Sequence, residues 1–225
     1  YGVQIDFEHM PVTDKKLFTQ FYHQLAKTLH QNGFAISVAI FPVTSSIPPS
    51  PYMTAQYNHW SGAYNQKALG QDSDFVSLMA YNQNGSNTMS GPVAGYDWVQ
   101  RIVKYALTNI PKDKLSLGIP TYSSYWDMKK IMDAKQKPLF IAQGNEISYT
   151  EASDILNSNN AQLLWDKNSR VHYTMYEHNN LYHFLFIEDA DSFKPTYQLA
   201  KNLQLRGVSV FRIGSEDSGI WKYVK

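Results

Sequence analysis

The sequence predicts an α/β fold: the C-terminal portion of a TIM (β/α)8-type barrel, with about five parallel strands and a small α+β insertion. Three observations point there. Short, nearly continuous apolar strands alternate with amphipathic helices, the pattern of a parallel sheet covered by helices. The first strand carries a polar row on one face. Residues 127–190 break the alternation with polar helix-like and hairpin-like segments.

Residues 2–8 (GVQIDFE) read as a strand with polar and apolar side chains in turn. Residues 14–31 read as a helix, because Leu17, Phe18, Phe21, Tyr22, Leu25, Ala26 and Leu29 recur at spacings of three and four. Thr13 or Asp14 is placed to cap its start, and Asn32-Gly33 to stop it. Residues 34–41 (FAISVAIF) form a strand of the buried parallel type. The Pro-, Ser- and Tyr-rich stretch 42–72 reads as a long loop with one short helix, and long loops inside compact domains are usually functional. A strand at 74–81, a helix at 96–109 and a strand at 115–120 follow. Within 127–190, residues 149–156 read as a helix, and 161–165, 171–176 and 181–187 as strands, with Asn179-Asn180 as a hairpin turn. A helix at 194–203 and a strand at 207–213 resume the main pattern. The expected organisation is therefore barrel at 1–126, insertion at 127–190, and barrel at 191–225.

A closed barrel needs eight strands and typically about 250 residues. Either three strands lie upstream or the sheet is open, and the insertion and the loop lengths favour the first. Without further strands the apolar edges would be unpaired, so this piece is not expected to be a stable monomer alone.

Composition narrows the function classes. The 225 residues carry a net charge of +1, so no field of one sign would draw the chain to nucleic acid or acidic lipid. There is no cysteine, which excludes disulfides and thiolate-bound zinc. No apolar run approaches about 18 residues, so no membrane span is expected. No signal peptide is present; a leader is expected upstream of a strand already under way at residue 2. Sixteen Tyr, eleven Phe and five Trp make a high aromatic load, which suits sugar clefts, cores and interfaces alike.

The chemistry begins with Gln4, Asp6 and Glu8. They alternate with Val3, Ile5 and Phe7, so the polar groups share one face. The helix-covered outside of a parallel barrel must be apolar, which turns the polar row inward. Glu8 then stands at the C-terminal end of the strand, where barrel active sites lie. Partial burial beside Asp6 would favour a proton on Glu8, as a general acid requires. An ordinary edge strand with solvated carboxylates is the alternative reading of the same pattern.

Residues 1–8 (YGVQIDFE) resemble the fourth-strand signature of family 18 glycoside hydrolases, Asp-Gly-x-Asp-x-Asp-x-Glu. By that resemblance Glu8 is the acid that protonates the glycosidic oxygen, and Asp6 orients the substrate's acetamido group. Tyr1 and Gln4 stand where the family usually has aspartates. Leu78-Met79-Ala80-Tyr81-Asn82 resembles the family's Met-x-Tyr-Asp strand end, which implies that Tyr81 hydrogen-bonds the acetamido carbonyl. Asn82 replaces the usual Asp. Residues 114–122 (KLSLGIPTY) resemble the seventh strand and its cleft tyrosine, Tyr122, so the insertion follows strand seven. Residues 207–217 (GVSVFRIGSED) resemble the last strand, with Phe211 in place of the Trp that floors the sugar pocket. Trp60-Ser-Gly-Ala-Tyr64, Gly91-Pro-Val-Ala-Gly95 and Phe186-Ile-Glu-Asp189 are similar to the bacterial cell-wall and spore-lytic branch of the family. The similarity spans strands four to eight in order.

The resemblance implies a retaining, substrate-assisted glycosidase with Glu8, Asp6 and Tyr81 as catalytic residues. It implies substrate contacts from Gln4, Met79, Asn82, Tyr122 and Phe211, with Trp60 as a lining residue. The implied partner is a glycan containing N-acetylglucosamine, namely chitin, peptidoglycan or an N-glycan core, and the implied location secreted or cell-surface. No metal or organic cofactor is expected. A glycan-binding protein that has lost activity is the rival, favoured by Gln4, Asn82 and Phe211 and opposed by Glu8.

Other signals carry less. The seven histidines show no helical His-x3-His pair. His9 follows Glu8 and by alternation points outward, toward packing. Asp189, Asp191 and Ser192 read as helix caps. Glu188, Tyr125 and Trp126 are further candidates for the cleft. Asn84-Gly85-Ser86 is a glycosylation sequon.

Overall fold

A computed structural model describes residues 1–48, 50–85, 88–133 and 135–224; the sequon's Ser86 lies outside the described residues. The chain divides into two compact units. The first comprises Tyr1–Ala80, Gln100–Gly118 and Leu199–Ser209, and the second Tyr81–Val99, Ile119–Gln198 and Val210–Lys225.

The first unit is organised by a sheet of β1 (Gly2–Ile5), β2 (Ala35–Ile40), β3 (Phe75–Leu78), β4 (Leu115–Pro120) and the chain's last strand, β10 (Gly207–Phe211), side by side in that order. The pairs from β1 to β4 are parallel. Residues opposite one another share a face. One face is apolar: Ile5, Ile36, Val38, Ile40, Val76, Leu78, Leu115 and Leu117 are all buried. On the other face Gln4 pairs with Ser37 and Ser77 with Ser116. Ser209 Oγ lies 3.2 Å from Ser77 Oγ and 2.7 Å from Ser116 Oγ, so these small hydroxyls satisfy one another where they are buried. The expected separation of a polar face from a helix-packing face is therefore present.

Helix α1 (Lys15–Gln31) buries Phe18, Tyr22 and Ala26. The buried stripe is narrower than its sequence pattern, since Leu17 and Phe21 are exposed. Neither Thr13 nor Asp14 gives a side-chain cap at its start. Its end is as expected: Gly33 takes φ 76°, and Phe34 N–H donates to Leu29 O at 2.9 Å. The stretch 42–72 is more ordered than a loop. It holds α2 (Pro51–Gln56), a π-helical turn at Tyr57–Ser61, and α3 (Gln66–Asp72). Helix α4 (Tyr96–Ala106) precedes β4.

The first strand is shorter than its alternation predicts. β1 stops at Ile5, so Asp6, Phe7 and Glu8 lie beyond it. His9, at φ 55°, and Pro11 turn the chain away from further pairing.

The second unit holds an antiparallel sheet in the order β6-β5-β9-β8-β7, formed by β5 (Ser123–Met132), β6 (Pro138–Ile147), β7 (Leu164–Asp166), β8 (Val171–His178) and β9 (Leu181–Ile187). Helix α5 (Tyr149–Ser158) begins with a capping box between Ser148 and Glu151. Its Ala152 forms a core with Leu185 and Ile187, around which Tyr125, Ile147, Ile155 and Leu156 pack. Asn179 and Asn180 both have positive φ, 52° and 60°, as a two-residue hairpin turn of this hand requires. Helix α6 (Ala190–Asn202) is capped by Asp189, whose Oδ1 accepts from the backbone N–H of Asp191 and Ser192 at 2.9 Å.

The β5–β6 hairpin escaped the sequence pattern, because Lys129, Lys130 and most of β6 are exposed and give no apolar alternation. Its anchor is one close approach. Trp126 pairs with Gly144, is 1% exposed, and donates Nε1–H to Gly91 O at 3.2 Å. A Cβ at Gly144 would sit 2.8 Å from the indole. Gly144→Ala is expected to lower stability by about 1–3 kcal/mol, the usual effect of overpacking against a fixed ring. A urea melt checks this; an unchanged midpoint would mean that the indole can move.

Candidate active site

Gln4, Asp6, Glu8, Trp60 and Met79 belong to the first unit, and Tyr81, Asn82, Tyr122 and Phe211 to the second.

In the first unit, Gln4 lies on the polar face of β1, and Asp6 and Glu8 at its exit. Both carboxylates are exposed. The partial burial expected of them is not met: among the described residues β1 has one neighbouring strand, β2. Phe7 between them packs on Phe18 and Phe21, at ring distances of 6.0 and 5.7 Å, which fixes the backbone that carries the two acids. Tyr64 ties the same segment from the other direction: its hydroxyl donates to Phe7 O at 2.7 Å. Burial, and then the negative charges of Glu8 and Asp6, push the Tyr64 phenol well above its ordinary range, so it stays a donor.

Trp60 sits in the π-helical turn, half-buried, edge-on to Phe41 at 5.3 Å and 3.9 Å from the ring centre of His9. His9 lies in a turn and packs its ring on Trp60, a loop and packing position reached without the strand alternation from which it is expected. The strand has already ended, and the left-handed turn at His9 carries its imidazole to Trp60. Met79, expected to contact substrate, is 5% exposed, and its N–H donates to Ile40 O at 3.0 Å.

In the second unit, four of the expected residues come together. Tyr81 and Phe211 stack with ring centres 5.2 Å apart and 15° between planes. Tyr122 stands edge-on to both, at 6.5 and 6.0 Å. Its hydroxyl donates to Asn82 Oδ1 at 2.5 Å. Asn82 is exposed and left-handed, at φ 57°, a conformation that asparagine tolerates better than most residues. Tyr122 itself is fully buried, so the expected cleft tyrosine has no surface for a sugar; it orients Asn82 from behind. Burial, then Glu146 and Tyr81, raise the Tyr122 phenol far above its ordinary value and keep its proton on. Arg212 lies 5.7 Å over the Tyr122 ring and 3.6 Å from Glu146.

Three further candidates for the cleft are structural. Trp126 is buried against Gly144. Tyr125 is hydrogen-bonded to His183 Nδ1 at 2.6 Å on the sheet's α5-bearing face. Glu188 is buried at the end of β9, where its carboxylate accepts from Ser192 Oγ at 2.9 Å and from Ala94 N–H at 3.4 Å. Burial pushes its carboxyl up to about 8, against the lowering effect of those two donors, so it carries a proton at neutrality. No cluster of three or more His, Cys, Asp or Glu among the described residues is placed to hold a metal ion.

Comparison with known proteins adds a family. The sequence model for "Glycosyl hydrolases family 18" matches residues 1–216. A cortical fragment-lytic enzyme of Bacillus subtilis is 28% identical over 213 residues, 94% of this chain and 46% of that protein. Among solved structures, a chitinase from Chromobacterium violaceum superposes with a TM-score of 0.83 at 24% identity, covering 99% of this chain and 64% of the other. The spore cortex-lytic enzyme of Bacillus megaterium gives 0.80 at 23% identity, covering 99% and 48%. These likenesses show an α/β fold of the chitinase barrel type. The chain spans about half the length of the cortical fragment-lytic enzymes it matches.

Proposed function

Since the chain belongs to family 18 of the glycosyl hydrolases, we propose that it hydrolyses β-linked N-acetylglucosamine glycans with retention, using the substrate's own acetamido group as nucleophile. The observation that carries this reading is the pair Asp6 and Glu8 at the exit of β1, beyond the C-terminal end of a parallel strand. That is where (β/α)8 enzymes keep their catalytic groups. Family 18 is one of the recognised exceptions to the two-carboxylate rule for glycosidases.

In this mechanism Glu8 protonates the bridging oxygen while the acetamido oxygen attacks the anomeric carbon. The C–O bond to the leaving sugar breaks, and a cyclic intermediate forms. Asp6 and the Tyr81 hydroxyl hold the acetamido group in the attacking geometry. Glu8, now ionised, takes a proton from water as the water opens the ring, which restores the acid. Phe211, stacked on Tyr81, presents an apolar face to the reacting sugar. Asn82, with its oxygen engaged by Tyr122, turns an amide toward that sugar's polar edge. Gln4 and Trp60 complete the contacts. Residues 127–190 are an insertion in a barrel to which 1–126 and 191–225 contribute, its parallel strands being the fourth to eighth.

The names of the relatives support two glycans, peptidoglycan and chitin. Both lie outside the cytoplasm, so we place the enzyme there or at the cell surface. No helix among the described residues is long and apolar enough to cross a membrane. The test is mass-spectrometric analysis of products from chito-oligosaccharides and peptidoglycan, with the protein beside its Glu8→Gln variant. Products that vanish with the variant support the hydrolase and identify its glycan. Binding without products in both proteins would replace it by a glycan-binding role, toward which Gln4, Asn82 and Phe211 already tend.

A further inference from the structure

We propose that Glu188, just past the end of β9, is a positioning residue for the sugar site: its protonated carboxyl docks the segment that follows Tyr81 and carries Asn82, and loss of that proton undocks the segment and weakens sugar binding. The effect on sugar rests on the function proposed above, whereas the docking stands on the network around the carboxyl.

Two legs of that segment, residues 82–84 and 91–95, are stitched together. Gln83 N–H donates to Val93 O at 2.9 Å, Gly95 N–H to Gln83 Oε1 at 2.7 Å, and Asn84 Nδ2 to Pro92 O at 2.9 Å. The return leg is buried at Val93 and Ala94 and is anchored by three side chains. Gly91 O accepts from Ser124 Oγ at 2.9 Å and from Trp126 Nε1 at 3.2 Å, and Ala94 N–H donates to Glu188 Oε1 at 3.4 Å. Of the three, only Glu188 changes charge with pH. Asn82 adjoins Gln83, so a return leg that lifts pulls on the residue that the Tyr122 hydroxyl holds from the other side.

The surroundings suit a neutral carboxyl. Oε2 lies 2.9 Å from Ser192 Oγ, which in turn lies 3.1 Å from Asp189 O. A protonated Oε2 donates to that hydroxyl, the hydroxyl donates to Asp189 O, and Oε1 accepts from Ala94, so donor and acceptor are both matched. An ionised carboxylate meets less favourable company. The titratable groups that act on it are Asp189, whose charge opposes its own, and the Tyr122 phenol. His172 is engaged with Asp189, at 2.6 Å. Burial above all, with Asp189 adding to it against the two hydrogen-bond donors, keeps the proton on up to about pH 8. Beyond that the buried charge is relieved by water. Water gains access when the Ala94 leg lifts, and that leg's bond is the longest of the anchors.

The experiment measures kcat and KM between pH 6.5 and 9.5 in the protein and in Glu188→Gln, which keeps the size of the side chain and cannot ionise. The substrate is the better cleaved of an N-acetylglucosamine tetramer and peptidoglycan glycan strands. At pH 9 only about a tenth of the unsubstituted protein keeps the proton, so its KM is expected to rise roughly tenfold from pH 7 to 9, with kcat following one profile in both proteins. In Glu188→Gln KM stays flat. A role in stability alone leaves KM flat in both; that result, or an equal rise in both, overturns the proposal. Amide hydrogen exchange gives a second readout that needs no turnover. Protection of Gln83, Ala94 and Gly95, corrected for the intrinsic effect of pH, is expected to fall roughly tenfold from pH 7 to 9 in the unsubstituted protein and to hold in the variant. Unchanged protection in the unsubstituted protein overturns the docking. Failure of the underlying reading looks different: neither protein would cleave either glycan, and exchange would still decide whether Glu188 holds the segment.

Discussion

Glu8→Gln lowers kcat on the preferred glycan by roughly 10²–10⁴-fold, the usual worth of a positioned general acid–base group. The amide fills the same space and cannot give up a proton to the bridging oxygen, so the leaving sugar departs as an alkoxide. Because Glu8 is exposed at the exit of β1, the substitution disturbs no core contact, and the melting temperature should stay within about 1 °C. Substrate binding should survive, since the proposed mechanism gives Glu8 the bridging oxygen and leaves the acetamido group of the reacting sugar to other residues, Asp6 among them. Steady-state kinetics with calorimetric binding to the same oligosaccharide checks both halves. An equal loss of binding and turnover would mean that Glu8 holds substrate rather than protonating it. A smaller companion effect is expected for Asp6→Asn, which keeps the acid but loosens the acetamido group.

Glu188→Gln raises stability, and the gain grows with pH. The Glu188 carboxyl is buried, and its folded-state pKa stands at about 8, against an ordinary 4.5 when exposed. Below pH 4.5 the carboxyl is protonated in both states and no difference arises. Between 4.5 and about 8 the unfolded chain has released a proton that the folded chain still holds. Each pH unit there costs about 1.4 kcal/mol of stability, until the folded group ionises too. Glutamine mimics the protonated carboxyl. It accepts from Ala94 N–H, and the Ser192 hydroxyl can turn to donate to Asp189 O, which is already 3.1 Å away. The variant should therefore melt near the parent at pH 5 and roughly 8–16 °C above it at pH 8, about 4 kcal/mol at 2–4 °C per kcal/mol. Differential scanning calorimetry across that range decides it. Parallel pH profiles would show that the carboxylate is accommodated in its ionised form.

Much of the fold is legible from the residues alone. The apolar runs at 34–41 and 115–120 appear as β2 and β4 because a strand buried on its helix-packed face has little freedom in composition. Asn32-Gly33 ends α1 and Asn179-Asn180 turns a hairpin because positive φ is a property of the local residue. Asp189 caps α6 for a similarly local reason. The carboxylates were visible as an alternating row, and Tyr81 and Phe211 through family resemblance. The β5–β6 hairpin is not visible, since β6 and the far end of β5 are exposed and carry no apolar period, and the buried Trp126 meets a glycine 18 residues later in the chain.

The site divides the same way. Residue types and spacing put Asp6 and Glu8 at the end of one strand, because side-chain direction along a strand follows from geometry every two residues. They say nothing of where the strand stops, and β1 stops three residues short of Glu8. Whether a polar or aromatic side chain meets water or protein depends on partners distant in sequence. Tyr122 is buried by residues about 40 and 90 positions away, Glu188 by a loop more than 90 positions earlier, and His9 is met by a tryptophan from the far side of β2. Local pattern thus dictates which chemical groups the chain carries and along which elements. Long-range packing, which no period in the sequence encodes, selects which of them face a substrate and which hold the others in place.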